Sequence, residues 1–183
     1  MKLHLGCGVD WRAGYLNVDC SPFAELAEWA RREGRLMVLL PGEEFLQHDL
    51  REPWPWTDAS AEEIVCNQTL EHFADAELPG VLAEARRVIQ PGAVFSGTVP
   101  DFRAVYEATV LLGQGSGWPL GDTGPYPAPW MNALQNLAHG GGHHKQVFVT
   151  EKLLERLRLA GFAAIVREVS GWNLHFEARR ATP

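Results

Sequence analysis

Residues 2–19 read KLHLGCGVDWRAGYLNVD, and this stretch decides the fold. Leu3 and Leu5 alternate with Lys2 and His4 and run straight into Gly6-Cys7-Gly8. The pattern predicts a short strand ending on a turn that lets a ligand approach the backbone. After the turn, Tyr15, Leu16, Asn17 and Val18 predict a second short strand that ends on Asp19. A carboxylate at the carboxyl end of the neighbouring strand can take two hydrogen bonds from a ribose diol. Strand, turn, strand and terminal acid together describe the opening of a nucleotide pocket. Two features depart from a dinucleotide fingerprint. Trp11 stands where the third glycine of G-x-G-x-x-G would allow close helix packing, and the acid comes much sooner than about 20 residues on. A nicotinamide cofactor is therefore disfavoured.

With 183 residues the chain suits a single domain spanning 1–183, long enough to bury roughly 70% of the surface its unfolded form would expose. Its three cysteines, Cys7, Cys20 and Cys66, form no C-x-x-C pair and argue for a reducing compartment. Without an evident leader or a long apolar run, the expected location is the cytoplasm, away from membranes. A formal charge of -7 opposes non-specific binding of nucleic acid, which depends on Lys and Arg neutralising phosphates. The pairs Arg31-Arg32, Arg86-Arg87 and Arg156-Arg158 fall on predicted helices and read as solvated faces. Trp54, Trp56, Trp118 and Trp130 fall in Pro- and Gly-containing segments. They read either as plugs over a core edge or as a substrate or subunit surface.

Further along, Ser21-Pro22 starts a helix whose face is Phe23, Leu26, Ala27 and Ala30, with Gly34 as its stop. Leu36–Leu40 is too short to assign. Glu44 to His48 predicts a third strand ending at Asp49-Leu50, and Pro53-Trp54-Pro55-Trp56 a rigid loop. Glu63 to Cys66 predicts the fourth strand, followed by Asn67-Gln68-Thr69 and Leu70-Glu71-His72-Phe73, with Glu71 and His72 opening a helix. Leu78, Val81, Leu82, Ala85, Val88 and Ile89 follow helical spacing up to Pro91-Gly92. Ala93 to Val99 predicts the fifth strand, ending in Val99-Pro100-Asp101-Phe102. Residues 103–145 are irregular: a helix to Gly113, a Gly- and Pro-rich loop and a short helix near Met131 to Leu137. Long irregular segments in compact domains are often functional. His144-Lys145-x-x-Phe148 then leads into a helix carrying Leu153, Leu154, Leu157 and Ala160. Phe162 to Glu168 and Asn173 to Arg179 close the chain as a hairpin.

These motifs resemble the class I S-adenosylmethionine-dependent methyltransferases, in particular a small bacterial, type 11-like subgroup whose chains open KLNLGCG and reach NVD after a short loop. The similarity continues through LEHF at 70–73, through EARRVIQPGAVFSGTVPD at 84–101 and through HK-x-x-F at 144–148. It implies an α/β, three-layer Rossmann-like fold, mostly parallel, with an antiparallel C-terminal edge hairpin. The first crossover helix is shortened, because Val9 to Gly14 can supply at most one turn where a parallel connection usually takes a dozen or more residues. The implied cofactor is S-adenosylmethionine. Its methionine part would lie over Gly6, Cys7 and Gly8, its ribose on Asp19 beside Cys20, its adenine near Asp49 and Leu50, with Asn67 and Gln68 after the fourth strand. The implied reaction is methyl transfer to an acceptor, expected to be a small molecule, with 103–145 as the substrate-recognition insertion. The alternative is an S-adenosylmethionine- or nucleotide-binding module without catalysis.

If the acceptor must lose a proton, His72, Asp101 and His144 are the candidate catalytic bases, since ligands in open α/β sheets bind beyond the carboxyl ends of the strands. His139, His143 and His144 together suggest a metal. No carboxylate or cysteine completes the set nearby in sequence, and the intervening glycines would orient the ligands poorly. The expectation is no metal, with the histidines acting as organic side chains.

Overall fold

The computed structural model describes residues 1–35, 37, 44–107, 144–169 and 173–181. Seven strands form one sheet: β1 Lys2–Leu5, β2 Leu16–Asp19, β3 Glu44–Gln47, β4 Ala61–Asn67, β5 Ile89–Pro100, β6 Phe162–Val169 and β7 Asn173–Arg180. Their order is β3-β2-β1-β4-β5-β7-β6, parallel from β3 to β5, with β7 antiparallel to both β5 and β6. This is the α/β sheet with a C-terminal hairpin that the sequence predicts. The hairpin reverses on itself, so β7 lies inside and β6 forms the edge. Leu174, Phe176 and Ala178 alternate into the core from β7, as an antiparallel strand with one packed face requires. The central strand β1 is buried along Leu3, His4 and Leu5, because parallel neighbours flank it on both sides. It pairs with β2 on one side and β4 on the other, so the chain changes direction across the sheet at β1, and in open α/β sheets ligands bind beyond the carboxyl ends of the strands at such a point.

Residues 6–15 cross from β1 to β2 without a helix. Asn17 makes the short crossing possible. Wholly buried on β2, it accepts the Arg12 amide at 2.9 Å and donates through Nδ2 to the Arg12 and Tyr15 carbonyls, both at 3.2 Å. His4 Nδ1 lies 3.1 Å from its Oδ1. One side chain thus supplies the backbone partners that a helix would have supplied internally. Arg35 holds the outside of the same loop through the Val9 carbonyl and the Asp10 carboxylate, each at 2.9 Å. Trp11, in the position of the absent third glycine, stacks on Phe45 with centroids 5.7 Å apart and meets Phe23 edge-on at 5.5 Å. An aromatic cluster occupies the place of a packed helix.

Helix α1 spans Phe23–Arg32, α2 Leu78–Val88, α3 Phe102–Tyr106 and α4 Thr150–Leu159. The buried stripe of α2 is Leu78, Val81, Leu82, Ala85 and Val88. The helix ends one residue before the expected Ile89, which is extended and pairs with Ala61, so β5 begins ahead of Pro91-Gly92. Arg180 Nη1, from β7, donates to the carbonyls of Arg86, Arg87 and Ile89 at 3.1–3.2 Å and satisfies the end of the helix. Trp54 and Trp56 are core plugs, 4% and 9% exposed. Their loop is held by Glu84 at the Trp54 amide and by Arg87 at the Trp56 carbonyl. Arg31 and Arg32 face solvent as expected, whereas Arg87 is a structural cross-link among Glu84, Asp58 and that loop. Of the helix expected from Arg103 to Gly113 the described part is α3, whereas its remainder past 107, the helix expected at Met131 to Leu137, Trp118, Trp130 and most of 36–40 lie outside the described residues.

Replacing Asn17 with Ala strips partners from several buried backbone groups at once, at about 1–3 kcal/mol for each group left unsatisfied. A fall of about 3 kcal/mol in unfolding free energy is expected, read as a lower urea midpoint at unchanged slope. A midpoint equal to wild type would show that the crossing holds without it.

Candidate functional site

The glycine turn follows β1 with Gly6 at φ +61° and Gly8 at φ +49°. A Cβ on Gly6 would overlap the side chain of Thr69, which comes from the loop after β4. A Cβ on Gly8 would meet only Trp29, at 3.7 Å, so that side of the turn is open. Gly6 is therefore required by close packing between two strand ends, and Gly8 by backbone conformation alone. Cys7 is fully used by the fold: its amide donates to the Val18 carbonyl at 3.0 Å and its carbonyl accepts Asp10 at 2.9 Å. Burial, with the Asp19 charge beside it, pushes its thiol up to about 12.

Asp19 ends β2 with both oxygens oriented. Oδ2 accepts the Gly8 amide and Oδ1 the Ser21 amide, each at 2.9 Å. A carboxylate oxygen has more than one acceptor position, so Asp19 can hold the turn and still receive hydroxyl donors. Next to it, Cys20 is exposed, and its carbonyl accepts Gln47 Nε2 at 3.2 Å. At the end of β3, Asp49 is gripped by Arg51, whose Nε lies 2.9 and 3.1 Å from the two carboxylate oxygens and holds the carboxyl below its usual range. Leu50 packs in the core, and its carbonyl accepts the Trp54 indole at 3.0 Å.

At the end of β4, Gln68 has φ +48°, an uncommon conformation for a non-glycine residue and one that concentrates at functional sites. Its amide continues the sheet to the Thr98 carbonyl at 2.8 Å. Its side-chain nitrogen reaches Thr98 Oγ1 at 3.2 Å and Asn173 Oδ1 at 3.1 Å. Asn67 Oδ1 accepts Thr98 at 3.4 Å. Both side chains reach towards β5, and Gln68 ties the ends of β4, β5 and β7 together.

Leu70–His72 is a single 3-10 turn, not the start of the expected helix. The segment after 143 wraps it. Lys145 and Gln146 donate their amides to the Glu71 carbonyl at 2.7 and 3.2 Å, and Gln146 Nε2 donates to the carbonyls of Leu70 and Phe73 at 3.3 and 2.8 Å. Phe148, buried, anchors the wrap. The result places His144 against the turn: its ring centroid lies 4.9 Å from that of His72, and its Nε2 lies 3.9 Å from Glu71 Oε1. Glu71 is 1% exposed, neither of its carboxylate oxygens accepts a hydrogen bond, and burial pushes the acid up to about 8. Two of the three expected bases, His72 and His144, are thus gathered with Glu71, the sequence neighbour of His72. Asp101 is buried and caps α3, accepting the Arg103 amide at 3.0 Å. His139 and His143 lie outside the described residues. In sequence, Glu71 and His72 open a helix on the cleft side, and the tertiary wrap supplies the burial of Glu71.

A family of methyltransferase domains matches residues 3–96. Among curated proteins, none matches the chain. Solved structures share the fold. The PH0226 protein of Pyrococcus horikoshii is 18% identical with a TM-score of 0.63, over 98% of this chain and 81% of that one. An S-adenosylmethionine-dependent methyltransferase of Mesorhizobium loti is 19% identical at 0.63, over 98% and 90%. A possible histamine N-methyltransferase of Thermotoga maritima is 16% identical at 0.60, over 98% and 81%.

The three thiols should report the pocket directly. Cys7 and Cys66 are buried with thiols pushed up to about 12, whereas Cys20 is exposed and raised chiefly by partial burial. In native protein iodoacetamide is expected to modify Cys20 alone, at a rate that climbs with pH as the thiolate forms. Labelling of Cys7 at a comparable rate would contradict the closed turn.

Proposed function

The chain belongs to the methyltransferase domain family and is an S-adenosylmethionine-dependent methyltransferase, and from that premise we propose that its acceptor is a small molecule methylated beyond the carboxyl ends of β1, β4 and β5. In this reading the cofactor's methionine part lies over Gly6–Gly8 and its ribose diol hydrogen-bonds Asp19. Asp49 and Leu50 border the adenine, with Asn67 and Gln68 forming the floor towards β5. The observation that carries it is Asp19, already oriented by the Gly8 and Ser21 amides on the open side of the turn.

Transfer from a sulfonium is an in-line displacement. A lone pair of the acceptor forms the new bond to the methyl carbon, and the sulfur leaves with the bonding pair. Charge disappears, so the protein contributes mainly alignment, and proximity can supply roughly 7 to 11 kcal/mol of the barrier. His72, on the turn after β4, and His144, packed against that turn, are the side chains that would face the acceptor and receive a proton from it. Asp101, buried and capping α3 through Oδ1, would have its second oxygen for such a role. A small acceptor agrees with the charge of -7, which disfavours an extended phosphate backbone. Residues 103–145 would select it.

Calorimetry with S-adenosylhomocysteine tests the cofactor assignment. Asp19→Ala should bind about ten- to a hundredfold more weakly, the equivalent of one charge-assisted hydrogen bond at about 1.5–3 kcal/mol, while keeping its far-UV spectrum. Equal affinity in a folded variant would remove Asp19 from the ribose. With methyl-labelled cofactor and separate metabolite, protein and RNA fractions as acceptors, label is expected in the metabolite fraction. Label confined to protein or RNA would overturn the small-molecule assignment.

A further inference from the structure

Glu71, His72 and His144 each offer one ligand atom, and these atoms lie within 4.8 Å of one another. Glu71 is buried, and its two carboxylate oxygens accept no hydrogen bond. Such a group is costly unless something compensates it, since buried polar atoms are nearly always satisfied. The nearest lysine in sequence to His144 does not compensate it, because Lys145 Nζ reaches Glu77 at 3.3 Å. The arrangement is also held from outside, by the Lys145 and Gln146 amides on the Glu71 carbonyl and the Gln146 clamp on Leu70 and Phe73. We propose that Glu71, His72 and His144 bind one divalent transition-metal ion, zinc or ferrous iron, on the acceptor side of the site.

Two imidazoles and one carboxylate form a donor set suited to zinc or ferrous iron, whereas magnesium and calcium take oxygen ligands. Bonds of about 2.0–2.2 Å around a shared ion would place donors roughly 3–3.5 Å apart. His144 Nε2 and Glu71 Oε1, now 3.9 Å apart, need to close by about half an ångström to an ångström. Three protein ligands leave coordination positions open. The use of those positions rests on the methyltransferase reading: the ion would hold an acceptor hydroxyl and favour loss of its proton to solvent, and the oxygen lone pair would form the new bond to the methyl carbon as the sulfur leaves with the bonding pair. With the ion bound, the two imidazoles are ligands and the ion takes over the activation of the acceptor.

The test is zinc titration of chelator-stripped protein, with the metal counted after gel filtration and S-adenosylhomocysteine affinity measured on the same samples. Wild type is expected to retain one zinc per chain. Glu71→Gln, which keeps the shape of the side chain, and His144→Ala, at the more exposed end of the cluster, should each bind zinc at least tenfold more weakly. Both should keep their affinity for S-adenosylhomocysteine. A variant with His139→Asn and His143→Asn together should hold zinc like wild type. Wild type without zinc, full zinc retention in both cluster variants, or loss in the His139 and His143 variant would each overturn the proposal. Zinc retained without S-adenosylhomocysteine binding would leave the metal site standing and overturn the cofactor assignment instead.

Discussion

The hydrogen bond from the Gly8 amide to Asp19 is the constraint on which the site depends. It joins the turn after β1 to the end of β2 across a 2.9 Å contact to a charged acceptor, worth about 1.5–3 kcal/mol. Because the turn is held from this side and filled from the other by Thr69 beneath Gly6, three strand ends take one fixed relation. Local sequence produces the turn and tertiary packing holds it. A Cβ at Gly8 would meet only Trp29, so this side of the turn stays open.

The same economy appears in the β1–β2 crossing. A doubly wound sheet normally covers this region with a helix, yet here Asn17 bonds the loop's backbone and the Trp11, Phe23 and Phe45 rings cover its apolar side. The acid can therefore arrive early in sequence and still stand at the end of the adjacent strand. An early acid and a displaced third glycine are thus one structural fact.

Much of this was legible in the sequence because the signals are local. Alternation marks β1 and β7, helical spacing marks α2, and the shortness of Val9–Gly14 limits the first crossing to at most one helical turn, of which the structure shows none. Ile89 fits the helical spacing in sequence because its apolar character suits both periods, and its strand partner Ala61 and the Arg180 that binds its carbonyl are distant in the chain. The Pro-Trp-Pro-Trp loop left two readings open, and burial against Arg87 and Glu84 decides for the core plug. The Glu71-His72 pair reads in sequence as capping, core-satisfying or catalytic, and local pattern does not choose among these because the surroundings of Glu71 come from residues 144–148. Histidine spacing pointed to 139–144 as the place to weigh a metal, whereas the carboxylate that completes a donor set comes from a different element.

The central claim is that the cofactor lies over the β1 turn with its ribose on Asp19. A crystal structure with S-adenosylhomocysteine bound measures this most directly. The account predicts both ribose hydroxyls within hydrogen-bonding distance of the Asp19 carboxylate, and the sulfur turned towards His72 and His144. Density for the ligand with its ribose away from Asp19, or at the amino ends of the strands, would contradict it.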